Sequence, residues 1–296
     1  MKVLNIGSVN IDYVYQMEHF IRPGETNACR RLTIGCGGKG LNQSVALARA
    51  GLFTFHAGLY GQEGLFLVEK LRARGVDVSL MRPGEGANGH AVIQVDRSGQ
   101  NCIILYGGTN QQFTEAYVDE LLAHFSAGDI LVLQNEINNI PYIMKQAAAK
   151  GLRIAFNAAP CREEIRSYPL SLVEWLIVNE VEGGVLSGET EPDRIIQMLR
   201  AQYPETKLIL TLGTDGSVYA DKDTCVRCPA FRVSAVDTTA AGDTFIGFFL
   251  RGAADALPPE QALRLASAAS ALAVTRPGAA DSVPDYAEVL ASPLLK

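Results

Sequence analysis

The stretch DILVLQNEINNIPYIMKQAAAKGLRIAFN, residues 129–157, changes rhythm twice. Residues 129–134 hold a short continuous apolar run, the pattern of a buried strand. Residues 139–150 read as a helix, and 152–157 as a second strand. Downstream the alternation continues, with a strand at 174–178, helices at 180–187 and 192–202, and a strand at 207–212. A strand hairpin over 216–233 and two long helices at 242–254 and 259–275 follow. Upstream, Lys2–Ser8 is a buried strand by pattern, Leu41–Ala50 a helix stopped by Gly51, Phe53–Tyr60 a strand, and 63–74 and 114–124 helices. Such alternation implies an α/β fold, a mostly parallel sheet with helices on both faces.

Two regions break the rhythm with strands alone. Residues 11–34 read as two strands joined by the turn Arg22-Pro23-Gly24-Glu25, and His90–Val95 and Asn101–Tyr106 flank a hairpin signal at Asp96–Gly99. The expectation is one domain over 1–296 with a small projecting sheet, or lid, formed by about 11–35 and 78–107. Ile11, Val14, Phe20, Ile34, Val92, Ile93, Ile103 and Ile104 put apolar residues on more than one face of it. A monomer does not normally expose so large an apolar patch, so a homodimer assembled through the lids is expected.

Composition narrows the partners. Apolar residues make up 48% and charged residues 20%, ordinary values for a globular chain. The formal charge is −6 and the 26 basic residues are spread thinly, with no nucleic-acid footprint. The longest apolar runs, near Ile130–Leu133 and Phe245–Leu250, fall far short of the ~18 residues of a membrane span. The N-terminus MKVLNIGSVN lacks the apolar core of a secretory signal, so a cytoplasmic location is expected. Cys225 and Cys228 have metal-like spacing, but residues three apart on a strand face opposite sides. The four histidines are scattered.

The densest chemistry is Asp237-Thr238-Thr239-Ala240-Ala241-Gly242-Asp243-Thr244-Phe245. Tiny residues before an apolar helix leave its first N–H groups uncovered, an anion site at the positive helix end. Gly242 permits close approach of backbone to a phosphoryl group, and Asp243 can take a proton from an attacking hydroxyl. A plain helix cap is the structural alternative. Gly35–Gln43, GCGGKGLNQ, matches the dinucleotide fingerprint literally. It lacks the acid at the end of the next strand, and no Ser or Thr follows Gly38-Lys39 as a P-loop requires. Lys39 and Asn42 instead offer hydrogen bonds to hydroxyls. Asn10 and Asp12, just past the first strand, share a face and can meet one ligand. Asn179-Glu180-Val181-Glu182, between a strand end and a helix, can hold hydrated Mg²⁺, although such a string taken alone is more often a capped helix. Thr211 and Gly213 lie at a glycine turn after a strand.

With these residues in hand, the chain resembles the ribokinase-like (PfkB) carbohydrate kinases. The resemblance runs from Asn5–Asp12 to Ser282-Val283-Pro284 and rests on two signatures, Gly37–Gln43 and Asp237–Thr244, in the family's order. It implies a three-layer αβα fold with a projecting β-sheet lid. It also implies an ATP-dependent kinase acting on a terminal hydroxyl of a pentose, D-ribose to ribose 5-phosphate first, then deoxyribose, another sugar or a nucleoside. A sugar sensor without catalysis and a nucleotide-dependent dehydrogenase are the readings from other classes. By position, the resemblance makes Asp243 the base and Ala240, Ala241 and Gly242 the anion hole. Asn10, Asp12, Gly38, Lys39, Asn42 and Glu136 become sugar ligands, with Asp243. Asn179 and Glu182 become the metal-and-phosphate pair, and Thr211 and Gly213 nucleotide contacts. Asp237, Thr239, Ala273, Arg276, Gly278 and Ser282 become the loop for a monovalent cation, K⁺ by expectation, with several backbone carbonyls as ligands. The chain departs from the family at Leu41, where a small residue is usual, and around Ser267, where a histidine is expected.

Overall fold

In a computed structural model, residues 1–295 are described. The elements run β1 (Val3–Ile6), β2 (Asn10–Gln16), β3 (Arg31–Gly37), α1 (Lys39–Arg49), β4 (Thr54–Ala57), β5 (Leu59–Tyr60), α2 (Leu65–Ala73), β6 (Arg82–Pro83), β7 (His90–Val95) and β8 (Asn101–Tyr106). They continue with α3 (Glu115–Ala123), β9 (Ile130–Gln134), α4 (Ile140–Ala149), β10 (Arg153–Asn157), β11 (Trp175–Asn179), α5 (Glu180–Ser187) and α6 (Pro192–Gln202). The last are β12 (Lys207–Thr211), β13 (Ser217–Ala220), β14 (Cys225–Cys228), α7 (Ala241–Ala254), α8 (Pro259–Val274) and α9 (Tyr286–Ala291).

An eight-stranded sheet in the order β14-β13-β12-β11-β10-β9-β1-β4 forms the body. From β12 to β4 its strands are parallel, and β13 and β14 close one edge as antiparallel strands. Alternation along each strand splits the core in two. Val3, Ile130, Val132, Ala155, Ile177 and Ile209 pack against α1, α2, α7 and α8. Leu4, Ile6, Leu131, Leu133, Phe156 and Leu176 pack on the other face against α3, α4 and the helices after β11. The strands read as unbroken apolar runs because both faces are covered. The body is thus the expected three-layer αβα arrangement. Leu41, the departure in α1, is fully buried in the first core.

A four-stranded sheet, β3-β2-β7-β8, stands apart as the lid, with β2 and β7 parallel and the other pairs antiparallel. Its bounds are narrower than the sequence suggested. Residues 78–89 lie outside it: Val78 and Met81 pack into the body core, and Arg82–Pro83 pair with Leu59–Tyr60. The Arg22–Glu25 turn is present, closed by a 3.1 Å backbone bond, but within a long loop between Gln16 and Arg31. Ile11 is buried in the body core and Phe20 lies outside the strands, whereas Leu32, Leu105 and Tyr106 join Ile34, Ile103 and Ile104 as exposed lid residues. Cys225 is exposed and Cys228 buried, on opposite faces of β14. No helix among the described residues is long and apolar enough to cross a membrane.

Candidate active site

Three neighbouring parallel strands carry buried amides that face α1, Asn5 inside β1 and Gln134 and Asn157 at the carboxyl ends of β9 and β10. Asn5 Nδ2 donates to the Gly40 carbonyl and to Ser44 Oγ, both at 2.8 Å. Gln134 Nε2 donates to Gln43 Oε1 at 2.7 Å and to Asn5 Oδ1 at 2.9 Å. Gln43 Nε2 donates to Asn157 Oδ1 at 3.1 Å and to Asp243 Oδ1 at 2.9 Å. A buried polar group left unpaired costs roughly 1–3 kcal/mol, so these amides hold one another and, through them, the start of α1.

Asp243 sits in the first turn of α7, 7% exposed, with Asn42 Nδ2 on its second oxygen at 3.2 Å. The helix starts from Ala240 in the left-handed region, φ 59°, a conformation a non-glycine residue holds only under local constraint. The Ala241 N–H already donates to the Thr238 carbonyl at 3.2 Å, which removes one of the three expected anion-hole donors. The N–H groups of Gly242 and Asp243 make no backbone bond, and a Cβ on Gly242 would meet nothing within 4 Å. The open donors therefore look onto free space at the positive helix end.

The glycine run serves geometry more than it opens room. Gly38 caps α1 at φ 92°, and a Cβ on Gly37 would collide with the Asp12 carboxylate. The run ends lid strand β3, which pairs only antiparallel, before turning into α1, so the parallel βαβ context of a dinucleotide site is missing. Glu136 Oε2 accepts the Lys39 N–H at 2.8 Å and the Ser8 hydroxyl. Asn10 Oδ1 accepts from Asn110 Nδ2 at 2.7 Å, and Asn110 Oδ1 accepts the Val9 N–H at 3.1 Å. Burial, then the Glu136 charge, pushes the Asp12 carboxyl up to about 6. Burial raises Glu136 and Glu182 as well. Burial opposes the Lys39 ammonium, but Asp243, Glu136 and Glu182 together raise its pKa. One cation among four carboxylates leaves the site short of positive charge.

Lys39, Asn179, Glu182, Thr211, Thr238 and the Ala240–Asp243 turn line one cleft of about 270 Å³. Asn179 and Glu182 form a capping box: Asn179 Oδ1 accepts the Glu182 N–H at 2.8 Å, and Glu182 Oε2 accepts the Asn179 N–H at 2.9 Å. Both expectations for this pair are compatible, since the second Glu182 oxygen remains for a hydrated cation. Gly213 lies beyond the cleft-lining residues, in a short turn after Thr211. Asp237 joins the two segments of the expected cation loop, its Oδ1 accepting the Thr239 N–H and its Oδ2 the Gly278 N–H, both at 2.9 Å. Within that loop the Ala273 carbonyl accepts the Arg276 N–H, Ser282 Oγ donates to Ala279 O at 2.9 Å, and the Arg276 side chain pairs with Glu288. The backbone carbonyls of Asp237, Thr239, Arg276 and Gly278 accept no backbone hydrogen bond among the described residues. Ser267 is buried beside Cys228.

The structure thus brings Asn42, Lys39, Glu136, Glu182 and Asp243 to one centre, with Asn10 and Asp12 on the lid strand beside it. Sequence reasoning passed over Gln43, Gln134, Asn157 and Asn110. The first three carried a signal, an amide inside or ending an apolar run; Asn110 carried none.

Comparison with known proteins gives the family and the fold. Residues 1–286 match the pfkB family carbohydrate kinases. A ribokinase of Staphylococcus aureus is 33% identical over 302 residues, covering 97% of this chain and 98% of its own. A deoxyribokinase of Salmonella typhi is 28% identical, covering 96% of each chain. Arabidopsis thaliana ribokinase, solved with ribose and ATP, superposes with a TM-score of 0.87 at 28% identity, over 100% of this chain and 98% of its own.

Proposed function

The chain belongs to the pfkB family of carbohydrate kinases, phosphotransferases with an alcohol acceptor, and from that premise we propose that it transfers the γ-phosphate of ATP to the 5-hydroxyl of D-ribose. The observation that carries the reading is the meeting of Asp243 with the open N–H groups of the α7 start, beside Asn10, Asp12, Lys39, Asn42 and Glu136. Asn42 Oδ1 is buried with no protein partner, and a sugar hydroxyl supplies the missing donor. Asp12 and Glu136 accept from further hydroxyls, which favours a sugar over an apolar acceptor. Gly38 lends backbone to the same site.

Phosphoryl transfer is mostly positioning and charge stabilisation. Asp243 takes the proton of the attacking hydroxyl. Lys39 and the N–H groups of Gly242 and Asp243 face the transferred phosphoryl group. Thr211 contacts the nucleotide. Asn179 and Glu182 would hold hydrated Mg²⁺, which would neutralise phosphate charge. Asp237, Thr239, Ala273, Arg276, Gly278 and Ser282 would hold a monovalent cation, several of them by backbone oxygens, and it would order the anion-hole turn. The enzyme works in the cytoplasm as a lid-to-lid homodimer.

The deoxyribokinase likeness keeps 2-deoxyribose as the second reading. Incubation with ATP, Mg²⁺ and a panel of ribose, deoxyribose, other sugars and nucleosides, read by mass spectrometry and NMR of the product, tests it. Ribose 5-phosphate as the fastest product is expected. Preference for deoxyribose or a nucleoside, or phosphate on the 1-hydroxyl, overturns the ribose assignment.

A further inference from the structure

The amide beneath the base has only one workable orientation. A carboxylate can only accept, so Gln43 must turn its NH₂ to Asp243 Oδ1, 2.9 Å away. Its second N–H goes to Asn157 Oδ1 at 3.1 Å. Gln43 Oε1 therefore faces Gln134, which must present its own NH₂, at 2.7 Å. The other Gln134 N–H goes to Asn5 Oδ1 at 2.9 Å. That turns the Asn5 NH₂ to Ser44 Oγ at 2.8 Å, and Ser44 Oγ is hydrogen-bonded to His56 Nδ1 at 2.7 Å. All these side chains are fully buried save Asp243 and Asn157, each 7% exposed. The polarity of the row is set from Asp243 to Ser44, and none of its members except Asp243 is needed to touch substrate.

We propose that Gln43 is a positioning residue for the base: it aims the Asp243 carboxylate at the acceptor hydroxyl, and Gln134 fixes which way the Gln43 amide faces. The inference rests on Asp243 being the base. Asn42 holds the other carboxylate oxygen, but its 3.2 Å bond is longer. Gln43 supplies the shorter contact from a site that solvent and sugar do not reach. Aim, not binding, is what it contributes.

The test is a double-mutant cycle on the full-length enzyme with ATP and ribose. Gln43→Met should lower kcat about 10- to 100-fold, the worth of a hydrogen bond to a charged group, with sugar and ATP KM within about threefold. In the Asp243→Asn background the same change should cost nothing further, because the aimed group is gone. Gln43→Glu keeps the size but offers an acceptor, and should lose as much kcat as Gln43→Met. It carries the same test if the methionine variant does not fold. Gln134→Met should lower kcat in the same direction without touching Asp243. Equal losses from Gln43→Met in both backgrounds, or a KM rise matching the kcat loss, would overturn the proposal. Full activity of Gln134→Met would overturn its orienting part. Full activity of Asp243→Asn alone would defeat the base reading instead, so the two failures are distinguishable.

Discussion

Asn42 Nδ2 donates to Asp243 Oδ2 at 3.2 Å, across 201 residues of chain. The two signature segments are thereby one site, the first turn of α1 set against the first turn of α7. Asp243→Asn keeps the shape and removes the base. It should lose at least ~10²-fold in kcat, since positioned bases contribute roughly 10²–10⁴, with little change in sugar KM. Steady-state kinetics check this, and a variant keeping most of its kcat refutes the assignment.

Asp12 ties stability to function with opposite signs. Its carboxyl is raised to about 6 by burial and then by Glu136. The folded state thus holds a proton that the unfolded chain has released, and stability from this group falls as pH rises through 3.8 to 6. Asp12→Asn should stabilise the fold at pH 7 by up to roughly 2–3 kcal/mol, seen as a melting point higher by a few degrees. The same change removes a charged acceptor from the sugar and should raise its KM roughly tenfold or more, with a smaller effect on the KM for ATP. In the unmodified enzyme the sugar KM should rise as pH falls below about 6. A sugar KM flat from pH 5 to 8 counts against Asp12 as a hydroxyl acceptor.

How far these relationships were legible depends on their range. The body sheet announced itself because strands covered on both faces are unbroken apolar runs, as in Ile130–Leu133. Gly242 and Asp243 were legible because a helix start is a local string. Asn179 and Glu182 were legible as a cap for the same reason. Gln134 and Asn157 end apolar runs, but their meeting with Gln43 needs the parallel register that sets Asn157 beside Gln134. Asn110 reaches Asn10 from a short turn 100 residues away, and no spacing rule spans that. The lid bounds were too wide because residues 78–89 show no helical pattern, yet they pack on the body instead of the lid.

His56 carries the acid sensitivity of the core. It is wholly buried, and burial lowers its pKa to about 3 against the weaker pull of the Gly7 backbone. The unfolded chain binds a proton between about 3 and 6.5 that the folded state refuses. Stability from this group is therefore full above 6.5 and lost as pH falls toward 3. At pH 5 the loss is on the order of 2 kcal/mol relative to pH 7. His56→Gln should flatten the dependence of unfolding free energy on pH between 5 and 7, measured by urea titration. An unchanged slope contradicts the buried neutral imidazole.

Asp237 accepts from Gly278 at 2.9 Å and so fastens the cation loop to the lead-in of α7. An ion held by the carbonyls of this loop would order Thr238–Gly242, where the open N–H groups lie. At equal ionic strength KCl should give higher kcat than NaCl. Asp237→Ala should lower kcat and abolish the difference. Equal rates of the unmodified enzyme in the two salts would remove the cation from the mechanism.

The lid exposes apolar residues on both its faces. Ile34 and Ile104 lie in one cross-strand row with Tyr13 and Val92, and are 56% and 62% exposed. Ile103 and Leu105 lie on the opposite face, which Asp12 shares, and are 54% and 44% exposed. A sheet of four strands has one body to cover it and two faces to cover. An isologous contact with a second lid would bury the remaining patch and close the assembly at two copies. Light scattering at micromolar concentration should return twice the 31.8 kDa chain mass. Because Asp12 stands on the lid, bracing one lid by the other would steady the proposed sugar ligand of each. A charge introduced at Ile103 or at Ile104, whichever faces the partner, should split the dimer and raise the sugar KM together. A monomer in the unmodified enzyme overturns the interface. If both Ile103→Glu and Ile104→Glu leave the dimer intact, the lids are not what joins the copies. A dimer split with unchanged KM leaves the interface in place but denies it any hold on Asp12.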